Sequence, residues 1–272
     1  MPKTSEFYIY IFFFFLTFLE QTETPEMNKE RVEKMRSSSK FDKVVRREIC
    51  RITSAGTKLT DATDSDLSYL VAFCGEKDLN DPQIINIGIC FLDGSIGVVH
   101  MSEFQDDKEL SSLETILAQY PPSEILHKKN KTLFENLLNK FSAVPKRPVA
   151  FPESNKSLKM IHDYFGGKTE WPEELLEYLD ESDNLGLTAK KGSEMAISAL
   201  GAIMYCLRDS LVDHFIMDQK KFKNFEPPHS DTVTKLAIEE QNVGPVGKSM
   251  ILDSKTLKNL NVLSGDHPGV YK

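Results

Sequence analysis

The chain has 272 residues, 40% of them hydrophobic and 27% charged, and carries a formal net charge of −8. That length accommodates one large or two ordinary domains, and the acidic balance argues against an autonomous nucleic-acid binder, which normally carries a basic excess. The four cysteines, Cys50, Cys74, Cys90 and Cys206, show no CxxC spacing; this argues against a disulfide framework or a zinc site and suits reduced thiols in a nuclear or cytosolic protein.

Residues 7–19, FYIYIFFFFLTFL, form an apolar run. Thirteen residues fall short of the roughly 17–25 that span a hydrocarbon core, so no membrane span is expected. A signal peptide fits the length, but the following EQTETPE offers no small-x-small cleavage site and starts a helix instead. A secreted chain would carry N-glycans at Asn130 or Asn155, each in an Asn-x-Ser/Thr sequence. Residues 1–19 are read as a leader of doubtful origin, in preference to a buried strand.

Thr24-Pro25-Glu26 is a helix start: a capping hydroxyl, a proline in the first turn and an acid on the positive dipole end. The helix runs to Met35, and residues 44–52 read as a strand closed by the turn Ser54-Ala55-Gly56. One helix and one strand cannot bury a core, so 20–59 reads as the C-terminal remnant of a domain. A polar joint at 60–66 follows. Strands are then expected at 67–74, 84–92 and 96–101, the last two flanking the hairpin turn Asp93-Gly94-Ser95. Leu110, Leu113, Ile116 and Leu117 recur at helical spacing until Tyr120-Pro121-Pro122 breaks the pattern. Short strands at 124–126 and 149–151 alternate with helices at 133–141, 158–164 and 172–179, which indicates an α/β domain. The longest helix is predicted over 193–218, where Ala196, Ala199, Leu200, Ile203, Met204, Leu207 and Leu211 share a face, with small residues Ala199, Gly201 and Ala202 permitting close approach. Residues 222–246 read as a linker, and a further helix begins at Met250.

Gly244-Pro245-Val246-Gly247-Lys248-Ser249 lacks the first glycine and the preceding strand of a phosphate-binding loop. Asp93, Glu114 and Asp163 are the carboxylates a two-metal, ribonuclease-H-like nuclease would need; turn chemistry before Gly94 explains Asp93 better, and Glu114 reads as an exposed helix position. The six histidines show no ligand pairing. Lys40, Lys43, Arg46, Arg47, Arg51 and Lys58 form one cationic cluster. Lys43, Arg46, Arg47 and Arg51 are its candidate DNA-backbone contacts, against a solvated, salt-bridged face; strand alternation puts Arg47 and Arg51 on one side.

EQTETPEM at 20–27, VVRREICRITSAGT at 44–57, ICFLD at 89–93, QYPP at 119–122, LGLT at 185–188, SALGA at 198–202 and MILDSKTLKNL at 250–260 resemble, in order, the MutS family of DNA mismatch repair proteins. The likeness is closest to the eukaryotic mismatch-reading homologue of a heterodimer. The resemblance implies a remnant of the mismatch-binding domain at 20–59, a ribonuclease-H-like α/β connector domain at 60–218 without nuclease activity, and a linker with the start of an α-helical lever domain at 219–272. It also implies a nuclear protein whose full-length form binds mismatched duplex DNA under ATP and Mg²⁺ control, pairs with a second MutS homologue and meets a MutL homologue, with no membrane involved. The mismatch-reading and ATPase motifs are expected before Glu20 and beyond Lys272. None of their residues is carried over, and the chain is expected to be a connector fragment with no cofactor and no enzymatic activity of its own.

Overall fold

The structure, a computed structural model, describes residues 6–9, 17–35, 44–58, 68–79, 81–129, 133–183 and 185–227. The N-terminal part is a three-stranded antiparallel sheet of β1 (Glu6–Ile9), β2 (Thr17–Thr22) and β3 (Arg47–Thr53), in the order β1-β2-β3. Two segments of the expected leader are thus strands, and β2 runs across position 19. Aromatic and branched residues favour strands, and the polar backbone of β3 needs a ladder partner. A leader and a strand draw on the same residue types, so composition alone does not separate them. Helix α1 (Pro25–Lys34) begins as its sequence dictates, with Met27 N–H donating to Thr24 Oγ1 at 3.3 Å. Glu23, just before it, takes both Nε and Nη2 of Arg31 (2.9 and 3.0 Å) and the Arg46 N–H (3.2 Å). The Arg31 guanidinium holds the Glu23 carboxyl below its usual range.

The main body is a six-stranded sheet in the order β8-β7-β4-β5-β6-β9. Its strands are β4 (Tyr69–Lys77), β5 (Ile84–Asp93), β6 (Val98–Asp107), β7 (Pro122–Lys128), β8 (Lys146–Val149) and β9 (Phe222–Asn224). β4, β5 and β6 are antiparallel neighbours, while β7 runs parallel to β4 and β8 parallel to β7. The sheet is thus mixed, and with its helices it has the α/β class expected. The β5–β6 hairpin closes with Gly97 N–H on Asp93 O at 2.8 Å, and Gly97 takes φ +68°, where glycine carries no steric penalty.

Both faces are covered, so the strands are apolar at successive positions. Leu70, Ala72, Cys90, Leu92 and Met101 face helices α4 (Ser154–Phe165), α5 (Glu173–Leu176), α6 (Glu194–Asp209) and α7 (Asp213–Met217). Tyr69, Val71, Phe73, Ile87, Ile89 and Phe91 face α2 (Ser111–Gln119) and α3 (Glu135–Lys140). Gly88 lets the first turn of α6 lie on the sheet: a Cβ there would fall 2.2 Å from the Met195 carbonyl carbon. Gly201 does the same for α6 against α4, where a Cβ would meet Ser157 Oγ at 2.3 Å, so the close approach expected from the small residues is realised. Pro148 at one edge and a three-residue strand at the other discourage pairing with further strands.

Three elements differ from expectation. The single helix predicted over 193–218 is two, α6 and α7, separated at Ser210–Val212 by Leu211 at φ +57°. Phe222–Asn224, read as linker, is strand β9, so the sheet extends past position 218. The short strand expected at 149–151 lies earlier, at Lys146–Val149. The loop 244–249 and the helix expected from Met250 lie outside the described residues, as does Asn130.

Candidate functional site

The two sheets meet where β3 ends. Ser54 N–H donates to Thr57 Oγ1 at 2.9 Å, and the two hydroxyls lie 3.0 Å apart, which closes the turn. That turn sits on Glu124, the one carboxylate of β7 and only 3% exposed. The Ser54 hydroxyl and the Gly56 N–H (3.0 Å) both donate to Glu124 Oε2. Arg147 Nε, from β8, donates to Oε1 at 2.8 Å. A carboxylate removed from water is tolerated only when its oxygens are matched by donors, and here both are. Gly56 is required by contact: a Cβ would lie 2.7 Å from Glu124 Cβ and 2.6 Å from Leu70 Cδ1. Arg147 Nη1 also reaches Cys206 Sγ on α6 at 3.2 Å, and Ile52 N–H donates to Ser210 O at the end of that helix (3.0 Å). The Ser68 hydroxyl donates to Ala55 O at 3.1 Å, tying the turn to the first residue before β4. Strand end, turn, β7, β8 and α6 are therefore one hydrogen-bonded unit.

At the far edge of the sheet, the outgoing chain is held as well. Val99 N–H donates to Lys221 O at 2.9 Å and Phe225 N–H to Met101 O at 2.8 Å. The Phe225 ring packs edge-on to Phe91 and Tyr120, with centroids 5.5 and 5.6 Å apart. His100 stacks on Phe91 at 4.7 Å, and burial, with Lys223 nearby, lowers its pKa and keeps the ring neutral at pH 7.

The carboxylates weighed as a nuclease set do not converge. Asp93 is a turn residue whose Oδ1 takes the Ser95 N–H at 2.9 Å and the Ser95 hydroxyl. Glu114 is buried, not exposed as expected, and pairs with Lys140 of α3. It stands on α2, over one face of the sheet, whereas Asp163 stands on α4 over the other. Among the described residues no group of three or more His, Cys, Asp or Glu could hold a metal. Asp163 instead lines an open cleft of about 570 Å³ with Tyr164, Arg208, Leu211, Asp213, His214 and Asp218. There the Tyr164 hydroxyl donates to Asp218 Oδ1 at 2.7 Å, and burial with that aspartate pushes its pKa up. Burial raises the Cys74 and Cys206 thiols to about 12 and Cys90 further, so none of these is a ready nucleophile.

Of the basic candidates, Lys43 lies outside the described residues, and Arg46 is exposed. The β2–β3 register shifts between Leu19 and Glu20, which face Arg51 and Ile49, so Cys50 is the extra residue of a bulge. That bulge puts positions 47 and 51 on opposite faces, against the simple alternation expected. Arg51 is half-buried, and its Nε has no hydrogen-bond partner among the described residues. Sequence reasoning did not single out Glu124, Arg147, Ser54 or Thr57. Nothing local marked them, since β7 reads PSEILHK, with serine, histidine and lysine beside the acid.

Among the described residues no helix is long and apolar enough to cross a membrane. Residues 68–209 match the model of the family described as MutS domain II. The chain is 33% identical to the "DNA mismatch repair protein Msh6" of Gallus gallus over 92% of its own length and 20% of that protein's. It is 33% identical to the Homo sapiens protein of that name, over 90% of the chain and 19% of that protein. A bacterial relative, the "DNA mismatch repair protein MutS" of Caldanaerobacter subterraneus subsp. tengcongensis, is 26% identical over 86% of the chain and 22% of that protein. The chain thus spans about a fifth of the length of the relatives it matches.

Proposed function

The chain belongs to the MutS family of DNA mismatch repair proteins, with a MutS connector domain at its centre, and from this we propose that it acts as the rigid connector of an Msh6-like mismatch-recognition protein. In this reading mismatch binding, ATP and Mg²⁺ belong to other parts of such a protein, and the chain performs no catalysis. Its task is to carry a change of position from one neighbouring domain to the next. The supporting observation is the Glu124 joint: the strand entering the connector is tied to β7, β8 and α6 through a buried, fully matched carboxylate. Packed interiors and paired networks transmit displacement because they deform little. The partners that follow from this reading are a second MutS homologue, a MutL homologue and, through the remaining domains, mismatched duplex DNA, in the nucleus. Of the four candidate DNA-backbone contacts, Arg46 is exposed, and from it the basic stretch would reach a phosphate.

A gel-shift titration of the isolated chain on matched and mismatched duplexes tests the division of labour. Weak binding without discrimination is expected. Tight, mismatch-selective binding would place recognition in this chain and overturn the proposal.

A further inference from the structure

The sequence of the α6–α7 region and its conformation point in different directions. No glycine or proline occurs from position 202 to 226, and the apolar spacing through Leu207 and Leu211 suits one unbroken helix. The chain nevertheless turns at Ser210. Val212 N–H wraps back to Leu207 O and Leu211 N–H to Arg208 O, both at 3.0 Å, with Leu211 in the left-handed region at φ +57°. This is the wrap that usually ends a helix on glycine; a leucine there occupies a backbone conformation that bulky L residues rarely adopt. Leu211 is 46% exposed, so burial of its own side chain does not account for the strain.

Two contacts hold the turn. Val212, Ile216 and Met217 are buried against the sheet. The Ser210 carbonyl, which in an unbroken helix would accept from the N–H four residues on, accepts instead from Ile52 N–H at 3.0 Å. That donor belongs to the strand that enters the connector. Beyond α7 the chain passes Lys220, also left-handed at φ +51°, and becomes β9. Residues 211–224 therefore link a carbonyl capped by the entering strand to the Phe225 anchor of the outgoing chain.

We propose that the α6–α7 corner is a two-state element: bent while Ile52 caps Ser210, and extending toward a continuous helix when the entering strand withdraws, which draws β9 away from β6. The proposal rests on the connector reading for its purpose, but it is a property of this chain alone and is measured without DNA, nucleotide or partner. Failure of the DNA experiments above leaves it standing, and its failure leaves them untouched.

Hydrogen exchange of the full chain, read by mass spectrometry, tests it with three variants. Ile52→Pro removes the capping N–H. Leu211→Gly favours the bent form by relieving the left-handed leucine. The third variant combines both. Ile52→Pro is expected to speed exchange across 220–225 about tenfold relative to peptides from β4 and β5, the signature of a local opening. Leu211→Gly should slow exchange there in the otherwise unaltered chain and restore most of the protection in the double variant. Unchanged or faster exchange at 220–225 on Leu211→Gly, in either background, overturns the proposal, as does an Ile52→Pro effect confined to 47–57. Should Ile52→Pro loosen β4 and β5 equally, Leu211→Gly against the unaltered chain decides alone: slower exchange at 220–225 supports the two-state corner, and any other result refutes it.

Discussion

Glu124 shows how much one buried carboxylate can organise. Its two oxygens take a hydroxyl and a backbone N–H from the turn after β3 and a guanidinium from β8. Removing it leaves Arg147 half-buried without its main partner and Gly56 N–H without an acceptor. Breaking one side of a buried charged pair is costly, and because Arg147 retains some solvent contact, Glu124→Ala should destabilise the fold by about 3 kcal/mol. Ser54→Ala, which removes one neutral donor and leaves two, should cost about 1 kcal/mol. Urea denaturation of the two variants checks both numbers; equal costs would mean that the hydroxyl, not the ion pair, holds the joint. None of this was visible in the sequence. Ser54 and Glu124 are 70 residues apart, and a serine in a turn and a glutamate in a short strand are each unremarkable alone. The Asp93 assignment worked for the opposite reason, since its chemistry is settled within two residues by Ser95.

At the scale of elements, legibility followed the range of the deciding interaction. Helix α1 starts where Thr24 and Pro25 put it, because capping is local. The β5–β6 hairpin and α2 follow from periodicity together with a turn or a proline stop. The break between α6 and α7 does not, because contacts from elsewhere in the chain hold it: the Ile52 N–H on Ser210 O and the burial of Val212, Ile216 and Met217. The start of α6 is also fixed from outside: Glu103 of β6 accepts from Met195 N–H at 2.8 Å and Ala196 N–H at 3.0 Å. Burial raises the Glu103 pKa, although these two donors pull it down. The group's pH-dependent contribution is therefore present in full below its unfolded value of about 4.3 and is lost as pH rises through the higher folded value. Glu103→Gln removes that dependence, so its stability relative to the parent should improve as pH is raised from about 4 to 7. Glu103→Ala removes the acceptor and should cost about 1 kcal/mol at both ends, as loss of a helix cap does. Thermal melts at the two pH values distinguish these outcomes; a Gln variant whose relative stability fell with rising pH would contradict the burial argument.

Among the described residues, a six-stranded sheet covered on both faces has its incoming and outgoing strands both fastened to it. Alternating strands and helices made the α/β class legible from residues 67 to 209, and the ordered family motifs gave its kinship. The N-terminal sheet was hidden because phenylalanine, tyrosine and isoleucine serve a leader and a strand equally well. The joint was hidden because it depends on how β3 meets β7. The central claim is that this joint carries motion between domains, and the most direct test uses a full-length Msh6-like relative in which residues 20–227 of this chain replace the matching segment. The quantity measured is ATP-induced release from a mismatched duplex, with and without Glu124→Ala. The account predicts that mismatch binding survives the substitution while ATP-induced release slows or disappears. Release at the parental rate, with hydrogen exchange showing the Ser54–Thr57 turn detached from β7, would contradict it.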